Sequence, residues 1–233
     1  MPHSIITGTG CYIPTRRIEN KYFLKKEFYN ADHEKMTKAN EDIVATLQDI
    51  TCIKERRWVT DDLVTSDMAC LAAKEALNGQ DGEDLDFIIM GHNYGDIKAG
   101  TVRVDTCPSL AARVKHLLGI KNPYTVVYDI PFGCPGWLHG MTIADYYIRS
   151  GDVKKIMVIG ADTLSRVTDP HDVDSMIFAD GAGAVIVEST EEDAGILSHV
   201  TRSDTKDEIY LIYNEKSYNP DKNDNKIYLK MHG

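Results

Sequence analysis

The sequence predicts an α/β layered domain: a mixed, mostly parallel five-stranded sheet flanked by helices. Three observations point there. Apolar runs of strand length at 86–90, 124–130 and 154–160 alternate with helical patterns at 68–77, 108–118 and 138–149. Alternation of this kind is the mark of a parallel sheet with crossover helices. The later strands follow one another without helices, which predicts an antiparallel edge.

Taken in order, residues 4–8 read as a short strand, and 9–14 turn away from it. Residues 20–30 are a lysine-rich helix candidate with Asn20 as N-cap, and 39–50 a second helix. Residues 53–58 are dense in charge and read as a solvated loop. Ser66 or Asp67 caps the helix at 68–77, which Asn78-Gly79 closes. After the strand at 86–90, residues 91–106 form a long polar segment, a length that marks a functional or mobile loop. Its His92 and Asp96 repeat no known acid–base spacing. The helix at 108–118 ends at Gly119. Beyond the strand at 154–160, residues 161–175 read as a loop. Gly181 and Gly183 are followed by a strand at 185–188 and not by a helix, so a dinucleotide fingerprint fails its context. They are read as glycines that let backbone pack close to the strand-to-helix elbow at Cys134. The chain turns polar beyond Ser198, with one last strand at 226–230.

The most informative stretch is Tyr128-Asp-Ile-Pro-Phe-Gly-Cys134-Pro-Gly-Trp137. A buried strand ends in a tight turn, Pro135 sits where a helix tolerates proline, and Leu138, Met141, Asp145 and Ile148 then recur at helical spacing until Ser150-Gly151. Cys134 therefore stands on a strand-to-helix elbow at a helix N-terminus. Backbone amides and the helix dipole there favour a thiolate. Gly133 and Gly136 leave room for a substrate. The arrangement is that of a nucleophile elbow with sulfur in place of oxygen. A cysteine between apolar elements is also commonly just a small buried hydrophobe.

The totals exclude several classes. Of 233 residues, 26 are basic and 36 acidic, a net charge of −10 that speaks against a general nucleic-acid or anionic-membrane binder. No apolar run approaches transmembrane length, and the first residues carry no secretory pattern. The five cysteines, Cys11, Cys52, Cys70, Cys107 and Cys134, form no C-x-x-C pair. They read as reduced thiols of a cytoplasmic protein, with neither a disulfide framework nor a metal site expected.

Four stretches in sequence order resemble the N-terminal half of the ketoacyl synthase III family of the thiolase superfamily. They are Ile6-Thr-Gly-Thr-Gly-Cys-Tyr-Ile-Pro14, Ile53-Lys-Glu-Arg56, Gly133-Cys-Pro-Gly136 before a helix ending Arg149-Ser-Gly151, and Phe178-Ala-Asp-Gly-Ala-Gly-Ala184. The resemblance implies a thiolase-like layered fold in one domain, 1–233. Its core is about 1–198, and 199–233 start the crossover to a second half. It implies that Cys134 takes an acyl group from a thioester and passes it to malonyl-acyl-carrier protein, in fatty acid or polyketide chain initiation. It implies a substrate-binding role for Arg166 at the cofactor mouth, with Cys107 at the dimer interface where the acyl pocket is shaped; Lys54, Arg56 and Arg57 are the candidates for a basic patch that docks an acidic carrier protein, a patch that the family carries largely in its other half. No permanently bound cofactor is expected; coenzyme A or acyl-carrier-protein thioesters are the implied substrates. A homodimer is expected.

The departures shape the rest of the expectation. The family's carbonyl-polarising histidine and asparagine belong to its C-terminal half. None of the eight histidines here lies in their context, His139 and His171 included. That half would follow in the same protein or stand on a separate chain. The family tryptophan that stacks on coenzyme A has no counterpart near Thr46 and Leu47, which leaves the donor open between coenzyme A and a carrier protein. Two other readings stay open: a non-catalytic condensing-enzyme-like partner subunit, and a starter-selective polyketide or aryl-lipid synthase of the same superfamily.

Overall fold

The computed structural model describes residues 2–101, 103–222 and 224–232. Its strands, in chain order, are β1 (His3–Tyr12), β2 (Arg16–Glu19), β3 (Glu55–Trp58), β4 (Phe87–Gly91), β5 (Asp96–Ile97), β6 (Val104–Asp105), β7 (Val126–Ile130), β8 (Lys155–Thr163), β9 (Asp180–Thr190), β10 (Ile212–Glu215) and β11 (Tyr228–Met231). Its α-helices are α1 (Asn40–Thr51), α2 (Thr65–Leu77), α3 (Leu110–Leu118) and α4 (Gly136–Ser150).

Five strands form the central sheet in the order β1-β9-β8-β4-β7. β4 is parallel to both β7 and β8, while β9 is antiparallel to β8 and to β1. Only β9 therefore runs against the other four, and the sheet is mixed and mostly parallel as expected. The antiparallel strand is not at the edge, however. β1 is longer than the predicted 4–8 and continues to Tyr12, pairing along β9 and covering its free side.

Period-two alternation sorts the two faces. Ile88, Met90, Met157 and Ile159 meet α2 and α3 through Ala69, Ala72, Ala73, Leu110 and Val114. Ile89, Ile156 and Val158 meet α4 through Met141, Ala144 and Ile148. On α4 the buried stripe is Met141, Ala144, Asp145 and Ile148; Leu138, predicted to join it, faces outward. Trp137 packs against the sheet in its place, over Gly160. Asp145 is buried because Ser4 Oγ donates to it at 2.9 Å and His199 Nε2 lies 3.2 Å away.

Two sequence readings are corrected. Residues 53–58 are no solvated loop: β3 pairs antiparallel with β2. Alternation turns Arg56 inward, where its guanidinium donates to Ile18 O and Asn20 Oδ1 and lies over the Phe23 ring. Residues 20–30 form only a short 3-10 turn, Asn20–Lys25, because the Asn20 side chain is engaged with Gln48 and Ile53 and not with its own helix. The polar segment at 91–106 folds into the small β5–β6 pair; Val102 lies outside the described residues. No helix among the described residues is long and apolar enough to cross a membrane.

Candidate active site

One register row builds the site. At the carboxyl end of the parallel strands, Gly91 of β4 stands opposite Ile130 of β7 on one side and Gly160 of β8 on the other. Beyond this row β7 and β4 leave the sheet as Pro131–Cys134 and His92–Asn93, while β8 runs on through Ala161 and Asp162 paired with β9 alone. The carboxyl ends of parallel strands are where open α/β sheets place their ligands.

Cys134 sits on the turn between β7 and α4. Phe132 N donates to Ile130 O at 2.9 Å, and Gly136 N donates to Gly133 O at 2.9 Å, closing the elbow. Gly133 has φ +74°, a conformation that favours glycine. Pro135 is the N-cap and Gly136 the first helical residue. The Cys134 side chain is exposed, so the reading of a sealed structural cysteine does not hold. It opens on a cavity of about 230 Å³ lined by Gly91, Gly133, Trp137, Gly160, Ala161, Asp162, Ala179 and Gly181.

Small residues make the room. A Cβ on Gly91 would lie 2.7 Å from the Gly136 carbonyl carbon, and one on Gly160 would lie 3.0 Å from Trp137 Cβ. These are the close approaches at the elbow. Gly181 reaches the cavity, but a Cβ on Gly183 would meet nothing within 4 Å, so that glycine is not a packing contact.

Asp162 is the residue at this cavity that the sequence reading did not single out. It accepts from Asn93 N at 2.9 Å and Asn93 Nδ2 at 2.6 Å. Burial pushes its carboxyl above the usual carboxylate range, while the Asn93 and Tyr94 amides and the field of His92 oppose that rise. The signal available in the sequence was a lone acid, Gly160-Ala-Asp162, at the end of an otherwise apolar run.

His92 and Asp96 are structural. His92 Nε2 lies 3.1 Å from Asp129 Oδ2, and its Nδ1 accepts from Gly95 N. Asp129 also accepts from Leu110 N and Ala111 N, closing the N-terminus of α3. Burial pushes the Asp129 carboxyl up, but His92 and those two amides outweigh it and hold it below the usual range. Asp96 accepts from Ser66 N and Oγ and from Arg113.

The other residues singled out from the sequence are not gathered around Cys134. Arg166 lines a cleft of about 270 Å³ with Tyr22, Lys26, Trp58, Lys222, Lys226 and Tyr228 among its walls. Its guanidinium is partly engaged, donating to Thr60 O at 2.8 Å and to Ile97 O. Trp58 gives this cleft an aromatic wall from a position other than the one where the family tryptophan was sought. Arg56 is 4% exposed and its donors are turned to the interior, so it does not reach the cleft. Lys54 is exposed on the chain between α1 and β3 and borders neither cavity. Cys107 is exposed at a separate cavity of about 710 Å³ with Lys98, Arg103 and Arg113. Thr101 borders both this cavity and the Arg166 cleft, so the two adjoin.

Comparison with known proteins agrees with this architecture. The family model for 3-oxoacyl-[acyl-carrier-protein (ACP)] synthase III matches residues 128–205, which contain the elbow. Beta-ketoacyl-[acyl-carrier-protein] synthase III 1 of Vibrio cholerae is 36% identical over 201 residues, 85% of this chain and 56% of its own length. Beta-ketoacyl-[acyl-carrier-protein] synthase III of an Enterobacter species is 34% identical over 231 residues, 98% of this chain and 65% of its own. The crystal structure of 3-oxoacyl-[acyl-carrier-protein] synthase III from Aquifex aeolicus superposes with a TM-score of 0.72 at 31% identity, over 98% of this chain and 64% of that one. The chain thus spans between about half and two thirds of the length of these relatives. In sequence and in fold it corresponds to part of the ketoacyl synthase III family of thiolase-fold enzymes.

Proposed function

We propose that the protein is a condensing acyltransferase that starts fatty acid or polyketide chains, and that this part of it supplies the nucleophile. Cys134 Sγ attacks the carbonyl carbon of an acyl thioester. The bond from that carbon to the carrier sulfur breaks, and the carrier thiol leaves with the proton. The acyl group then waits on Cys134 for the carbanion that malonyl-acyl-carrier protein yields when it loses carbon dioxide. The Cys134 backbone N–H is the proposed donor to the developing oxyanion, and one such donor contributes about 3 kcal/mol in comparable sites. The observation that carries this reading is an exposed cysteine on the β7–α4 elbow, at the mouth of a cavity walled by glycine and alanine.

The Arg166 cleft is the proposed seat of the thioester's carrier. Lys26, Arg166, Lys222 and Lys226 supply positive charge, and Tyr22, Trp58 and Tyr228 supply aromatic faces. That combination suits a phosphorylated pantetheine arm, on coenzyme A or on a carrier protein. The groups that polarise the second thioester belong to the rest of the protein. Residues 199–233 lead toward that part, and the exposed Leu138 and Tyr146 of α4 offer it a packing face. A homodimer and a cytoplasmic setting complete the proposal.

The test is intact-mass measurement after incubation with acetyl-, butyryl- and longer acyl-coenzyme A and with acyl-carrier protein. One acyl adduct on Cys134, absent from Cys134→Ala, is expected. No adduct from any donor, with the remaining part of the protein supplied, refutes the assignment and favours a non-catalytic partner role.

A further inference from the structure

The face of the sheet toward α4 changes character along its length. Ile89 of β4, Val158 of β8 and Val185 of β9 pack with that helix in one cluster. Two residues from each, toward the cysteine elbow, the side chains stop: Gly91, Gly160 and Gly183 stand abreast in one register row. Three glycines side by side leave a hollow that no strand side chain fills. Trp137, on the first turn of α4, lies over it. A Cβ on Gly160 would come within 3.0 Å of Trp137 Cβ and 3.5 Å of its Cγ and Cδ1.

Trp137 also walls the cavity on which Cys134 opens. The other described walls are four glycines, two alanines and Asp162, so Trp137 carries the one bulky side chain among them. The cavity measures about 230 Å³, room for roughly eight water molecules. That space takes the end of a thioester and a short acyl group, and not a long chain.

We propose that Trp137 sets the length of the acyl group that Cys134 accepts and holds it to short starters such as acetyl and butyryl. The proposal deepens the acyltransfer reading and rests on it: the carrier arm fills the entrance while the acyl group lies in the cavity. Trimming the indole would uncover the glycine row and lengthen the cavity along the sheet. In an apolar pocket a single methylene that fits or fails to fit changes the rate roughly tenfold or more.

The test is the rate at which acetyl, butyryl, octanoyl and decanoyl groups load Cys134, each offered on coenzyme A and on a carrier protein. Loading is read by intact mass with the remaining part of the protein supplied. The wild type should load acetyl and butyryl at least about tenfold faster than decanoyl. Trp137→Leu should raise the decanoyl-to-acetyl ratio at least about tenfold, with Trp137→Phe between the two. A side chain that merely supports the fold would slow every donor alike and leave the ratio unmoved.

Gly181→Val works in the opposite direction. Gly181 lines the same cavity on the same sheet face, and a Cβ there would meet only Tyr12 O, at 3.5 Å. Added bulk is therefore tolerated by the strand and takes up room. The butyryl-to-acetyl ratio should fall about tenfold. This variant decides the matter if Trp137→Leu does not fold. Equal loading of decanoyl and acetyl by the wild type overturns the proposal and leaves the acyltransfer reading standing. An unmoved ratio in folded Trp137→Leu, or in Gly181→Val in its stead, does the same. If no donor of any length loads the wild type, both fall.

Discussion

Gly91 lies directly beneath Gly136: a Cβ added to Gly91 would sit 2.7 Å from the Gly136 carbonyl carbon and 2.8 Å from Trp137 N. The end of β4 and the first turn of the cysteine helix are therefore in backbone contact. No side-chain rotation can relieve an intrusion there.

Gly91→Ala should push the start of α4 away from the sheet. Overpacking of this kind costs about 1–3 kcal/mol, and the displaced elbow should slow alkylation of Cys134 while Cys52 reacts as before. Gly183→Ala is the contrast. It stands in open space without a positive φ, and should change stability by less than about 0.5 kcal/mol. Urea denaturation of both variants checks the pair.

Lys230 is fully buried, with Nζ 2.6 Å from Asp169 Oδ2, 3.3 Å from Asp172 Oδ2 and 3.1 Å from the Tyr218 ring centre. The two carboxyls end on opposite sides of the usual carboxylate range. Burial pushes both upward, but Asp169 receives Lys230 and the Tyr218 and His171 amides as well and ends below the usual range, while Asp172 stays above it. Lys230→Ala leaves both acids buried without their cation, and breaking such a pair costs about 3–5 kcal/mol. The loss should appear in urea denaturation. Limited proteolysis should show segment 217–231 opened, since Lys230 ties β11 to the turn at 169–172.

Asp174 should give the stability of the protein a rising limb toward acid. Burial first, and the Asp172 carboxylate second, push its carboxyl up to about 6 against the pull of Lys230. A carboxyl that holds its proton more tightly folded than unfolded stabilises the fold fully below the unfolded value of about 3.9. That contribution is lost as pH rises through 6. Asp174→Asn should therefore gain on the wild type by about 1–3 kcal/mol at pH 7.5, with the gain shrinking steadily between pH 6 and 4. Denaturant midpoints of both proteins across pH 4–8 check the slope. A gain that grows toward acid contradicts it.

Much of this architecture was legible in the chain. The apolar runs that became β4 and β8 are buried on both faces, so hydrophobicity alone marks them, while β7 at the sheet edge is only partly buried. The elbow was legible because Pro131, Gly133, Pro135 and Gly136 leave the backbone few conformations between a strand and a helix. The family resemblance rested on the same segments. The charged run at 53–58 misled because one inward arginine per strand is enough to anchor β3. Its partners, Ile18 and Asn20, are more than thirty residues away.

The sequence by itself determined the order of strands and helices, the mixed and mostly parallel sheet, and the place of Cys134 at a helix start, because these follow from local periodicity and backbone limits. Only the tertiary structure decided what surrounds the sulfur. Register set Gly91 between Ile130 and Gly160, and that row brought Asp162 to a cavity shared with a cysteine 28 positions earlier. It also sent Arg56 to the interior and gathered Arg166, Trp58 and Lys226 in one cleft. Such neighbours depend on strand pairing and burial between distant segments, which no local pattern of residues encodes.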